Sequence, residues 1–254
     1  MCLILFAWQA HPRYPLVVAA NRDEFHQRPT ATASFWKEPG GVLAGRDLEA
    51  GGTWLGVNRG GRFAAITNYR EPHSPAASGG PSRGHLVSNY LLANERPLAH
   101  ARGLGGTADA YSGFNLLLGM PGELAYLSNR DGPAVALEAG VHGLSNHLLN
   151  TEWPKVPSGR ERLNDLLTAP RLEPEDHLEL LADRRVTPGE FPRDLENSLV
   201  GEQLASHYFI VSPVYGTRSS TVVLYGDDGQ VRFVERQYHP DGTPTHTTDH
   251  QFHL

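Results

Sequence analysis

Short apolar runs separated by polar turns dominate this chain, and they predict strands more often than helices. Residues 2–8 are apolar, residues 9–15 carry His11, Pro12 and Pro15, and Leu16 to Ala20 form a second apolar run. Two such runs around a proline-containing connection predict a hairpin. The tetrad Asn21-Arg22-Asp23-Glu24 follows directly, so antiparallel pairing puts it beside the start of the first strand, near Cys2. A second hairpin is expected from Thr53–Val57 and Phe63–Thr67, ending at Asn68-Tyr69-Arg70. Its connection, Asn58-Arg59-Gly60-Gly61, holds residues that tolerate the positive φ of tight turns.

Helical spacing comes next. Leu86, Val87, Tyr90 and Leu91 predict a helix from Gly84 to Asn94, after a Pro-, Gly- and Ser-rich loop over 71–83. Ser158 is suited to cap a helix through Leu163, Leu166 and Leu167, and Pro174 to open another through Leu178 and Leu181. Further strands are expected at 114–119, 124–128, 207–213, 219–225 and 231–237. No repeat or linker divides the chain. Residues 1–254 therefore read as a single α+β domain, with 239–254 a polar, weakly anchored tail.

Composition narrows the class of function. The 254 residues carry a formal charge of −6, with no run of Lys or Arg, which argues against nucleic acid as a partner. No apolar stretch approaches the roughly 20 residues that span a bilayer. The apolar start lacks a basic region ahead of it, so a signal peptide fits poorly and the cytoplasm is the expected location. The single cysteine rules out an intramolecular disulfide and any cysteine-rich zinc motif. Of the 13 histidines, His246 and His250 have i, i+4 spacing, but they lie among threonines with no HExxH, so no metal site is expected. Gly51-Gly52-Thr53-Trp54-Leu55-Gly56 lacks the spacing of a nucleotide loop, and no cofactor is expected.

Cys2 is the first candidate for chemistry. Removal of Met1, which a small second residue permits, makes it the N-terminus, and one residue then supplies a thiol and an α-amine as nucleophile and base. The plainer reading is a small apolar residue at a strand's start. Asn21, Arg22, Asp23 and Glu24 can orient that amine and the thiol, with Arg22 lowering the thiol pKa, or form a solvated turn with local ion pairs. Three later segments place polar groups at strand ends: Asn68 with Arg70, Ser145-Asn146, and Arg218-Ser219. An asparagine amide can donate to an oxyanion and an arginine can bind a carboxylate or phosphate, but turn residues and surface ion pairs explain the same positions.

Taken together, Met1-Cys2, Asn21-Arg22-Asp23-Glu24, Gly51-Gly52-Thr53-Trp54, Asn68-Tyr69-Arg70 and Gly216-Thr217-Arg218-Ser219-Ser220-Thr221 resemble the landmarks of the NRDE family, proteins like transport and Golgi organisation protein 2. That family is in turn similar to N-terminal-nucleophile hydrolases of the choloylglycine hydrolase type. The resemblance implies a four-layer αββα sandwich with the nucleophile at the start of a central strand. Those enzymes carry an Arg-Asn-x-Asp pattern, in which Asn21 and Asp23 match and Ala20 takes the arginine's place, with Arg22 next door. By the same resemblance Asn68 looks like the oxyanion asparagine, Ser145-Asn146 like a Thr-Asn element and Arg218 like a late arginine. These residues, Cys2 included, are expected to meet in one cleft. The implied function is hydrolysis of a small acyl-amide or acyl-thioester by Cys2, with Arg22, Asp23, Asn68, Asn146 and Arg218 as catalytic groups and Asn21, Glu24, Arg70 and Ser219 as ligand contacts. The alternative is a non-catalytic carrier that holds haem or an acyl-CoA-like anion in the same cleft, with haem as cargo. The oligomeric state is open.

Overall fold

The computed structural model describes residues 2–38, 40–71, 80–187 and 206–254. In chain order its elements are β1 (Cys2–Trp8), β2 (Leu16–Phe25), β3 (Thr30–Phe35), β4 (Val42–Asp47), β5 (Leu55–Asn58), β6 (Phe63–Asn68), α1 (Gly84–Leu92), α2 (Pro97–Gly103), β7 (Phe114–Met120), β8 (Glu123–Ser128), β9 (Asp131–Ala136), β10 (Gly140–Leu144), α3 (Lys155–Leu166), α4 (Pro174–Leu181), β11 (Tyr215–Tyr225), β12 (Gln230–Tyr238) and β13 (Pro244–His253). They form two compact units. One comprises Met1–Gln27, Ala139–Ser145 and Leu149–His253, and the other comprises Arg28–Glu138, Asn146–Leu148 and Leu254.

The first unit is an antiparallel sheet in the order β10-β1-β2-β11-β12-β13. Alternate residues of its strands, Leu3, Leu5, Val17, Ala19, Val222 and Leu224, share one face and are packed with Leu163, Leu178 and Leu181 from α3 and α4. The period-2 pattern of β1 and β2 thus meets the helical stripe of two short helices. The second unit is an antiparallel sheet in the order β3-β4-β5-β6-β7-β8-β9. Here Val42, Ala44, Ala64, Ile66, Leu116 and Leu118 form the face that buries Leu86, Val87, Tyr90 and Leu91 of α1. Each unit is therefore one helical layer on one sheet.

Several expectations need correction. Residues 239–254 are not a loose tail, because 244–253 form β13 on the edge of the first sheet, paired with β12. Its side chains are mostly exposed, so alternation of apolar residues cannot reveal it. Backbone pairing, β-branched threonines, buried Phe252 and the Arg232–Asp249 ion pair at 2.8 Å hold it instead. The tetrad is no turn: β2 continues through Asn21, Arg22, Asp23 and Glu24 to Phe25, because β11 pairs along its whole length. The strand expected at 207–213 is absent. Tyr208, Phe209 and Ile210 are buried, but Asn21 Nδ2 takes the Tyr208 carbonyl and Thr217 Oγ1 the Ile210 amide. The helix expected from Ser158 begins earlier, at Lys155. The loop expected over 71–83 falls largely outside the described residues.

Candidate active site

Strand alternation sorts the tetrad. Asn21 and Asp23 project to the helix-covered face of the first sheet, in line with Val17 and Ala19, and Arg22 projects to the opposite face. Asn21 is fully engaged there. Its amide donates to the carbonyls of Leu181 at 2.9 Å and Tyr208 at 2.7 Å, and its oxygen accepts from Ser220 Oγ at 2.5 Å. The Leu181 carbonyl is at the C-terminal end of α4, so Asn21 satisfies a group that a helix end leaves open. Asn21 therefore ties the strand to α4, a structural contact the sequence does not advertise.

Asp23 is 2 % exposed. Thr217 Oγ1, across the β2–β11 pair, donates to Asp23 Oδ1 at 2.6 Å and accepts from the Ile210 amide at 2.9 Å. Tyr215 Oη donates to the Asp23 carbonyl at 3.1 Å. Burial pushes the Asp23 carboxyl up, while the charge of Lys155, the Thr217 hydroxyl and Arg22 pull it back. On β11 the register slips between Thr217 and Ser219, so Arg218 is the extra residue of a bulge. A bulge re-aims the side chain it carries. Arg218 Nη1 accordingly donates to the Phe25 carbonyl at 2.9 Å, and Ser219 falls opposite Arg22. Burial and the nearby charge of Arg22 both lower the Arg218 pKa, and Glu24 opposes them. Glu24 also stands 3.8 Å from Arg22.

Cys2 pairs directly with Arg22 at the end of the β1–β2 ladder. Its carbonyl accepts from Ser145 Oγ at 3.1 Å, which anchors the start of β1 beside the end of β10. The residue keeps partial exposure. The lowered thiol pKa expected from Arg22 is not what this environment produces. Desolvation is the largest influence and pushes the thiol up, Asp23 adds to it, and Arg22 only partly offsets the two.

Sequence reading missed Lys155. It lies on the first turn of α3 and is 0 % exposed, and Nζ has no hydrogen-bond partner among the described residues. Burial lowers its pKa to about 8, against the opposing charges of Asp23 and Cys2. A signal did exist. Lys155, Gly159 and Leu163 are spaced by four on the buried stripe of the helix, a place for apolar residues. Starting the helix at Ser158 hid it.

The remaining expected residues belong to the second unit. Asn146 is buried, donates from Nδ2 to the Asn68 carbonyl at 2.8 Å and accepts from the Arg70 amide at 2.8 Å. Asn68 itself is exposed at the end of β6. The first unit thus brings together Cys2, Asn21, Arg22, Asp23, Glu24, Arg218 and Ser219, and the second brings together Asn68, Arg70 and Asn146. Among the described residues no group of three or more His, Cys, Asp or Glu is placed to hold a metal ion, and no helix is long and apolar enough to cross a membrane. His246 and His250 lie on strand β13, not on a helix.

The chain matches the Transport and Golgi organisation 2 family over residues 1–240. It belongs to that family. It is 36% identical over 276 residues to the Transport and Golgi organization protein 2 homolog of Bos taurus, covering 100% of this chain and 99% of the relative. With the Homo sapiens homolog it shares 35% identity over 257 residues, covering 93% and 92% of the two chains. Among solved structures it is similar to a Caenorhabditis elegans N-acylethanolamine-hydrolyzing acid amidase ortholog, with a TM-score of 0.50 and 12% identity, over 88% of this chain and 92% of that one. That likeness shows the fold: the N-terminal-nucleophile hydrolase type, the α+β sandwich class expected from the sequence.

Proposed function

We propose that this member of the Transport and Golgi organisation 2 family is an acyl-transfer hydrolase that uses Cys2 as its nucleophile on a small acyl-amide or acyl-thioester. The observation that carries this reading is the set of groups around Cys2. Cys2 is paired in register with Arg22 at the start of β1, one residue before Asp23, a buried carboxylate to which Thr217 of β11 donates. Removal of Met1 frees an α-amine with a reference pKa of about 7.7–8.0, able to take the thiol proton near neutral pH. The sulfur then attacks the substrate carbonyl carbon, a C–S bond forms, and the C–N or C–S bond to the leaving group breaks as the amine returns the proton to it. Water attacks the acyl-enzyme through the same amine and releases the acid.

Asp23 and Arg22 hold that amine in place. The oxyanion role for Asn68 and Asn146 rests on the family resemblance alone. Arg22 and Arg218, two guanidinium groups close enough to depress one of their pKa values, favour a substrate that carries an anionic group, and an acyl-CoA is one such substrate. The test is a panel of neutral acyl-amides and acyl-CoA thioesters offered to the wild type and to Cys2→Ala, with intact mass spectrometry of protein from its native host. The expected result is loss of Met1, an acyl adduct on Cys2, and turnover that falls at least about 10³-fold in the variant. Retained Met1 on active protein would remove the α-amine from the mechanism. Tight binding of haem or acyl-CoA with no turnover by either protein would instead favour the carrier.

A further inference from the structure

The last strand of a sheet presents backbone N–H and C=O groups to the outside, and natural edges carry features that discourage pairing. Among the described residues, three of the four sheet edges have one. β10 is only five residues long. The β3 edge is broken by a register shift between Ala31 and Ser34. β9 has Pro133 in its interior, and its ladder with β8 shifts between Tyr126 and Ser128. The fourth edge, β13, differs. It runs for ten residues, its one proline is its first residue, and its register shift against β12 lies at that same end. It carries no lysine, and its one acidic side chain, Asp249, is held by Arg232 at 2.8 Å. No strand among the described residues pairs with its outer side.

The side chains along this edge form a charge pattern. Arg232, Val234 and Arg236 of β12 oppose Gln251, Asp249 and Thr247 of β13, so these six share one face of the sheet. Thr247, Asp249 and Gln251 are exposed there. Arg236 Nε donates to Thr247 Oγ1 at 3.2 Å, and its Nη groups hold Glu175 of α4 at 2.9 Å. One cation thus stands beside Asp249 and another over Thr247.

We propose that β13 pairs antiparallel with β13 of a second copy of this chain, about a two-fold axis at Thr248, and so joins two six-stranded sheets edge to edge. Symmetry and charge fix the register. A two-fold axis normal to the sheet keeps each face on its own side, and opposed residues of an antiparallel pair share a face. The axis therefore passes through a residue and not between two. The longest overlaps have it at Thr248, over 244–252, or at Asp249, over 245–253. An axis at Asp249 sets two like charges against each other, which is destabilising. An axis at Thr248 sets Asp249 against Thr247 of the partner subunit, within reach of the guanidinium that stands over that threonine. Charges then alternate across the joint: Arg232, Asp249, and Arg236 of the partner subunit. The two-fold repeats this row in reverse, so the edge is complementary to itself, which favours a second copy over an unrelated strand. On the other face Thr248 opposes its own copy, a β-branched pair, and His246 opposes His250 of the partner subunit.

The test is the oligomeric state of the full chain by sedimentation equilibrium up to about 100 µM, in the wild type and in Thr247→Asp. In the single chain the new carboxylate meets Arg236, and circular dichroism checks that the fold is kept. In the pair it opposes Asp249 at two places. The expected result is a dimeric wild type and a dissociation constant raised at least about tenfold in the variant. The register is read in a Cys2→Ala background. Thr248→Cys sets two sulfurs across the axis at a backbone separation that a disulfide spans, so mild oxidation should give a covalent dimer. Gln251→Cys opposes Thr245 of the partner subunit and should stay uncrosslinked. A wild type that is monomeric at the highest concentration overturns the proposal, whatever other extended segment the edge accepts. A dimer that Thr247→Asp leaves intact and Thr248→Cys does not trap also overturns it, because the copies then meet elsewhere. Where Thr247→Asp does not fold, the two cysteine variants decide.

Discussion

At the scale of single residues, Thr217 is the best test of how Asp23 is held. Its hydroxyl donates to a carboxylate that burial disfavours and accepts from the Ile210 amide, so one side chain satisfies two buried groups. Thr217→Val keeps the shape and removes both bonds. Leaving a buried donor and acceptor short of partners costs about 1–3 kcal/mol. Urea titration near neutral pH should show a loss of that size, largely restored in Thr217→Ser, and acyl-transfer activity should fall with it. A valine variant as stable as the wild type would mean that the Asp23 carboxylate gains nothing from this contact. None of this was readable from Thr217 in the sequence, where it stood only as a neighbour of Arg218. Side-chain hydrogen bonds across a sheet depend on strand register, and a bulge at Arg218 sets the register here.

At the scale of elements, most strands in longer apolar runs were legible, while β3 and β4 were missed although Val42 and Ala44 pack under α1. The first two hairpins, β7, β8 and β12 appear where alternation or apolar runs place them. Strands β9 and β13 expose most of their side chains, and an edge strand held by backbone pairing shows little apolar pattern. Helix α3 was found but entered three residues late, and those three residues include Lys155. The Gly216-Thr217-Arg218-Ser219-Ser220-Thr221 segment was noticed for its polar residues, yet its glycine has an equally direct physical reason. A Cβ at Gly216 would stand 2.6 Å from the Ile210 carbonyl oxygen, a backbone atom with little room to move. The Thr217 amide donates to that same oxygen at 2.9 Å. Gly216→Ala should therefore push the 208–210 segment away from β11, break the Thr217 contacts and cost about 1–3 kcal/mol, as overpacking does. Gly103→Ala is the control. Nothing lies within 4 Å of the added carbon at the end of α2, so thermal melts should place that variant at or slightly above the wild type. A Gly216→Ala variant that melts with Gly103→Ala would show that the Ile210 contact does not govern position 216.

At the scale of the whole molecule, the α+β class and the antiparallel sheets were legible because hairpin turns and apolar runs are local signals. The division of the chain into two compact units was not, since Ala139–Ser145 and Asn146–Leu148 fall in different units with no change of composition between them. Global stability offers a further handle on the buried lysine. Burial lowers the pKa of Lys155 from 10.5 to about 8. The unfolded chain then binds more protons at this site than the folded chain does between those two values, so folding is favoured as pH rises across the window. The contribution is fully present above the unfolded value and is lost as pH falls through about 8. The net charge of −6 makes alkaline pH repulsive for the protein as a whole, but that effect is nearly the same in Lys155→Met and cancels in the difference. The unfolding free energies of the two proteins, compared by urea titration from pH 7 to 10, should therefore change relative to one another. Wild type should gain on the variant as pH rises, by an amount on the order of 3 kcal/mol at the limit, since each unit of pKa shift corresponds to about 1.4 kcal/mol. Below pH 7 the gap between them should be constant apart from titration of Asp23, the carboxylate that Lys155 faces. Parallel curves from pH 7 to 10 would mean that Lys155 titrates as it does in the unfolded chain and that its burial does not disfavour the ammonium.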